Sequence, residues 1–359
     1  MVNTTGASNV AVGKSSLDAN TTGSDNTGLG TLALSANTTA SNNVAIGRSA
    51  LLANTTADNN TAVGYNALTA NTTGANNVAI GKDALIANTT ANNNTAVGYD
   101  SLTANTTGTA NVAMGKSVLE ANTTADNNTG IGFSALAANT TGTGNSAVGM
   151  NSLASNTTAN DNTSIGKGTL ANNTTGASNT GIGRAALGQN TTGTENVAIG
   201  MQALDASGAG TDGSYNVAIG NDALGANTEG QFNVGVGRRA LYANTTADEN
   251  TAVGYLSLYA NTTGATNVAV GVSALQENTT ASNNVGVGNR ALAANTTGYN
   301  NTVVGSQSTD ANTTGHSNTA VGRVSLTANT TGDQNIAVGV SALEANTTAS
   351  NSVAKVITL

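Results

Sequence analysis

Large aliphatic side chains recur along this chain at fixed places. In residues 78–85, Val78-Ala79-Ile80 alternates large and small, Gly81 follows, and Leu85 stands four residues beyond. Residues 61–68 repeat the phrase with Thr61-Ala62-Val63, Gly64 and Leu68. Such alternation predicts a short strand with one buried face. Ile80 and its counterparts Val12, Ile46, Val63, Val97, Met114 and Ile199 are then expected to form one aliphatic ladder of the core. Leu17, Leu34, Leu51, Leu68 and Leu85 begin a second, which holds in every complete unit except where Thr309 replaces Leu. A Gly kept after the strand in every unit but the last marks a backbone needing positive φ or having no room for a Cβ.

Between these apolar marks the chain reads Asn-Thr-Thr, and the Asn positions set the period. Asn3, Asn20, Asn37, Asn54 and their successors are 17 residues apart up to Asn190. Residues 207–226 form a unit three residues longer with Ser207 in the Asn place, after which Asn227 resumes the spacing. The result is 21 units, the last incomplete, and a constant period of this length marks a solenoid in which no coil buries its apolar face alone. A helical reading of stretches such as Ser49-Ala50-Leu51-Leu52-Ala53 fails on length, because Gly and Asn-Thr-Thr flank too few helix formers for a stable helix. The pattern predicts an all-β, parallel β-solenoid (β-roll) of about 21 coils, with two short strands per coil joined by an Asn/Thr/Gly turn and a Gly corner. One continuous array is expected over 1–351. Residues 352–359, where Val356 replaces the corner Gly, are expected to cap it or lead out of it. At about 4.8 Å per coil, the array would be a rod on the order of 100 Å long.

Composition changes this picture in two ways. The chain is 8% charged and 3% aromatic with no Pro, Cys or Trp, a low complexity that often means disorder, yet a disordered segment has no reason to keep its aliphatic spacing. A core of two large side chains per coil is thin beside the entropy of ordering the backbone, so either hydrogen-bond ladders and tight Ala packing offset the rest or the coils share a core with other copies, which suggests a homo-oligomer. The net charge of −8 comes from scattered acids, which argues against a nucleic-acid surface or an electrostatic membrane anchor. Apolar runs are far shorter than the roughly 18 to 20 residues that span a bilayer, so no membrane insertion is expected. Residues 1–20 lack the basic and apolar regions of a secretory signal, and export is expected to depend on something outside this sequence.

Three repeated columns are candidates for chemistry. The first is the Asn of Asn-Thr-Thr, as at Asn20, Asn37, Asn54, Asn71, Asn88 and Asn105. Stacked amides would form a structural ladder, while the same triplets are acceptor sequons for glycans in a secreted protein. The second follows the corner Gly, where Lys14, Arg48, Tyr65, Lys82, Tyr99, Lys116 and Phe133 mix cations with rings. Neighbours about 5 Å apart would make cation–π contacts and present a stripe for a partner subunit or a sugar. The third is Thr, but adjacent Thr55 and Thr56 point to opposite sides of an extended chain, leaving one Thr rank for ordering water or ice. Enzyme motifs are poor. His316 is the only His, the Gly-x-Gly stretches at 28–30, 130–132 and 181–183 precede no helix, and Asp58, Asp126 and Asp248 are too sporadic for a calcium repeat. No catalytic, cofactor-binding or metal residue is assigned, and no enzyme activity is expected.

Asn42-Asn43-Val44-Ala45-Ile46-Gly47, with Val-Ala-Ile-Gly again at 78–81, 197–200 and 217–220, resembles the head repeats of YadA-like trimeric autotransporter adhesins. Residues 60–74, NTAVGYNALTANTTG, are similar to repeats of phage tail-fibre proteins, and the likeness runs through the whole chain. The present unit is longer than the usual adhesin head repeat. The resemblance implies a left-handed β-roll, three chains side by side, and a rigid extracellular fibre on a bacterial surface or virion that meets a cell-surface glycan or receptor. Two alternatives remain open: an extracellular filament whose subunits stack end to end, with or without glycans on the Asn-Thr-Thr turns, and an ice-binding solenoid.

Overall fold

A computed structural model describes residues 3–206 and 213–356. They fall into two compact units, Met1–Ser178 and Asn179–Leu359. The first unit contains ten strands, from β1 (Val10–Val12) to β10 (Thr163–Ile165), and the second eleven, from β11 (Thr180–Ile182) to β21 (Val353–Lys355). Within each unit every strand pairs in parallel with the strand of the next coil, one coil's register apart. In the first unit β4 (Thr61–Val63) lies beside β5 (Val78–Ile80) with Ala62 opposite Ala79. The described residues contain no helix. The chain is thus an all-β, parallel β-solenoid with a 17-residue repeat.

Each described coil has one three-residue strand, where two were expected. The segment carrying Leu68 is a run of turns: Asn66 and Leu68 both lie in the left-handed region, at φ 56° and 54°. Hydrogen bonds between coils nevertheless continue through it, from Leu68 N to Ala84 O at 3.0 Å and from Ala70 N to Ile86 O at 3.1 Å. The backbone groups are satisfied without an extended strand. At the corner, Gly64 has φ 139°, and a Cβ there would run into the carbonyl of Gly81. Both reasons for a constant Gly therefore apply.

The buried face of the strand also differs from expectation. Val12 is 55% exposed, Ile80 39% and Met114 43%, and Ile199 is likewise exposed, while Ile46, Val63 and Val97 are half-buried. The residue turned inward is the small one between them, Ala45, Ala62, Ala79 or Ala96, each fully buried. The physical reason is space. In a coil of 17 residues, Leu68 and Ala67 already occupy the centre opposite the strand, and two Asn side chains fill the turn side. The core is a column of Leu, two columns of Ala or another small residue at the strand centre and before Leu, a turn column of Ala or Gly, and two columns of Asn.

Packing across coils shows how tightly that bore is filled. The residue before each Leu packs against the strand centre of the following coil. Where Val118 stands in place of Ala, the facing residue is Gly130, whose Cβ would lie 2.5 Å from Val118 Cγ1. Where Ser152 takes the place, it faces Ser164 and the hydroxyls meet at 2.7 Å. The longer unit at 207–226 begins outside the described residues, but from Val217 the pairing is regular again. At the other end β21 keeps its register with β20 (Ile336–Val338), and Val356 N reaches Val338 O at 2.8 Å as the corner Gly does elsewhere. Regular pairing therefore extends to 356. Residues 357–359 of the expected cap lie outside the described residues.

Candidate interaction face

The Asn columns are internal. Asn20, Asn37, Asn54, Asn71, Asn88 and Asn105 are all buried. Asn54 Nδ2 donates to Asn37 Oδ1 at 3.1 Å and to Ala57 O in its own turn at 3.0 Å, and Asn71 repeats the contact onto Asn54 at 3.0 Å. Asn105 meets Asn88 at 3.2 Å in the same way. The second Asn of each unit works differently. Asn60 N donates to Asn43 Oδ1 at 2.9 Å, while Asn77 Nδ2 reaches across to Ala91 O at 2.9 Å. Burying so many amides is tolerable because they bond to one another and to the turn carbonyls.

One Thr rank is used internally as well: Thr72 Oγ1 donates to Thr89 O at 3.0 Å, and Thr38, Thr55 and Thr106 repeat the bond. The other rank, Thr39, Thr56 and Thr141 among them, is exposed.

The column after the corner Gly faces outward along its length. Arg48 lies 6.0 Å from the Tyr65 ring centre, Lys82 5.0 Å from Tyr99, and Lys116 5.6 Å from Tyr99 and 5.9 Å from Phe133. Lys14 is exposed too, with Thr31 rather than a ring in the next coil. Arg238 and Tyr255 continue the pattern in the second unit at 5.9 Å. The Asp83 carboxylate, 3.0 Å from Lys82, holds that ammonium above its usual value, chiefly through their hydrogen bond. Of the chain's 11 Lys and Arg, eight stand in this column: Lys14, Arg48, Lys82, Lys116, Lys167, Arg184, Arg238 and Arg323. None of its 19 acids does.

The strand's opposite flank is acidic. The two residues before the second Asn of each unit include Asp25, Asp58, Asp126, Asp161, Glu195, Asp248, Glu249 and Asp333, and no Lys or Arg. Some of these serve the backbone: Asp58 Oδ1 accepts from Ser41 N at 2.7 Å, and Asp126 Oδ1 from Thr109 N at 2.6 Å. Three ring pairs also stack, outside the column after the corner Gly. Tyr215 stacks on Phe232 at 4.9 Å, Tyr242 on Tyr259 at 5.5 Å, and Tyr299 on His316 at 4.7 Å. His316 is also within 3.3 Å of Asp333. A spacing of one period between rings was the available signal.

Between the two flanks lies an apolar strip made of the third residue of each strand, from Val12 to Val338, beside a first-residue column that mixes Val with Thr and Ser. Contiguous apolar surface of this kind, rimmed by polar residues, is a candidate interaction site. A hollow of about 130 Å³ lined by Ser273, Gln276, Glu277 and Arg290 is well below the roughly 300 Å³ at which ligand pockets begin. Among the described residues no group of three or more His, Cys, Asp or Glu is placed to hold a metal ion, and no helix is long and apolar enough to cross a membrane. The fold and the strip define a β-solenoid repeat protein with an open strand face. No protein-family model matches the chain, and no curated protein matches it.

Proposed function

We propose that this chain is a non-enzymatic structural protein that associates with copies of itself along its strand face, forming the rigid part of an extracellular fibre such as a phage tail fibre or a bacterial surface adhesin. The observation that carries this reading is the exposure of the strand aliphatics. Val12, Leu29, Ile80, Met114, Ile131, Val148 and Ile165 stand in one column of the first unit, each more than a third exposed. A column of this length costs free energy in water and regains it when a second copy covers it. A stable interface needs about 800 Å² per partner. Spread over ten coils that is about 80 Å² each, from the two outward strand residues and the one after the corner. Trimerisation fits a core that holds one large aliphatic per coil, because the strand aliphatics would then meet around a shared axis. Sedimentation of the purified full chain tests the reading: the expected species has three times the 34.9 kDa chain mass. A monomer at micromolar concentration would overturn it.

A further inference from the structure

Tyr215 and Phe232 break the habit of their column, the one just before the second Asn of each unit. That column is mostly Asn, Asp and Ser, such as Asp25, Asn42 and Asn59 in the first unit and Asn283, Asn300 and Ser317 in the second. All of these have positive φ, a conformation that Asn and Asp tolerate and a bulky side chain avoids. Two consecutive coils of the second unit nevertheless place rings there, at φ 62° and 57°, and leave them in the open: Tyr215 is 43% exposed and Phe232 55%. The rings stack on each other at 4.9 Å with 4° between their planes. The other face of each ring is therefore turned along the column, toward the coil before or the coil after.

Both of those coils carry an acid in the same column. Tyr215 N donates to Thr194 O at 3.0 Å, which sets Glu195 one coil before the pair, and Glu249 N donates to Gln231 O at 3.0 Å, which sets Glu249 one coil after it. The column thus reads Glu195, Tyr215, Phe232, Glu249, all exposed. Three residues before Phe232, Glu229 stands where the Asn-Thr-Thr units have their exposed second Thr. None of the ion pairs among the described residues uses Glu195, Glu229 or Glu249.

We propose that this ring pair and its flanking carboxylates bind a basic peptide segment of a partner protein through arginine side chains. A guanidinium is planar and weakly hydrated, so it stacks on an aromatic face while its N–H groups fork onto a carboxylate. Phe232 beside Glu249 offers that combination, and Tyr215 beside Glu195 offers it again at the other end. A neutral sugar would use the rings and leave the unpaired negative charges idle. Glu195 and Glu249 are three coils apart, about 14 Å at the usual strand spacing. An extended peptide rises about 3.3 Å per residue, so two arginines four residues apart, which lie on one side of it, span nearly that distance. All of these residues belong to the second unit, and the site stands apart from the self-association of the strand face.

The probe is a fluorescently labelled Gly/Ser peptide with two arginines four residues apart, titrated with the full chain and read by anisotropy. Saturable binding is expected, several-fold weaker when lysines replace the arginines. Tyr215→Asn and Phe232→Asn restore the residue usual in the column, so the double variant is expected to keep the circular dichroism spectrum and to weaken binding about ten-fold. Glu249→Gln is expected to weaken it several-fold. No binding to the unaltered chain, equal affinity for the lysine peptide, or unchanged affinity in the double variant overturns the proposal. A sedimenting mass lowered by the double variant, with no peptide bound by either chain, would make the ring pair a contact between copies and overturn it as well.

Discussion

Leu68 sits in the left-handed region at φ 54°, and its counterparts from Leu17 to Leu343 do the same. For a side chain with a Cβ that conformation costs roughly 1–2 kcal/mol, so the column persists because its burial outweighs the strain. Leu68→Ala keeps the strain and loses the packing, and is expected to cost about 2–5 kcal/mol in denaturant unfolding. Gly64→Ala is expected to disrupt the coil more, since the added methyl meets the Gly81 carbonyl and no side chain can yield to it; loss of the cooperative transition by circular dichroism is the readout. Asp205 offers a pH signal. Burial pushes its carboxyl up to about 6 from 3.8, with a hydrogen bond from the Gln189 backbone opposing. The folded chain thus holds this proton more tightly than the unfolded chain. Its contribution is complete below pH 3.8 and is lost as pH rises through about 6. Thermal melts of Asp205→Asn should show a flatter pH dependence across that window.

At the level of the coil, strand centres and the residues before Leu behave as coupled pairs. Gly130→Ala alone is expected to destabilise, because Val118 occupies the space, and Gly130→Ala with Val118→Ala to recover most of the loss; a double-mutant cycle measures the coupling. The same pairs explain what was legible beforehand. The period, the Gly corner, the Asn ladders and the cation–π column follow from spacing alone, because contact between neighbouring coils is set by the repeat. The buried face of the strand does not. Val-Ala-Ile states that alternate residues share a face, but which face is inside depends on the bore, and Ala79 rather than Ile80 fits beside Leu68 and Leu85. The strand expected around Leu68 fails for a related reason. Left-handed φ is the habit of Gly, Asn and Asp, and nothing local in Ser-Ala-Leu or Asn-Ala-Leu announces a Leu that is forced into it by its own packing.

For the molecule as a whole, the proposed association through the outward aliphatics predicts that folding and assembly are separable. Ile80→Lys adds charge to the open face without touching the core, so it is expected to leave the circular dichroism spectrum unchanged while lowering the sedimenting mass. An Ala79→Lys change, into the bore, is expected to abolish both. The contrast between neighbouring positions distinguishes a face made for a partner from one that is merely apolar.

The amide ladder has a direction. Asn37 donates to Asn20, Asn54 to Asn37 and Asn71 to Asn54, always back toward the coil already passed. A ribosome makes this chain in the same order. Each amide donor thus has its acceptor one period behind it in the order of synthesis, so this ladder never calls on sequence not yet made.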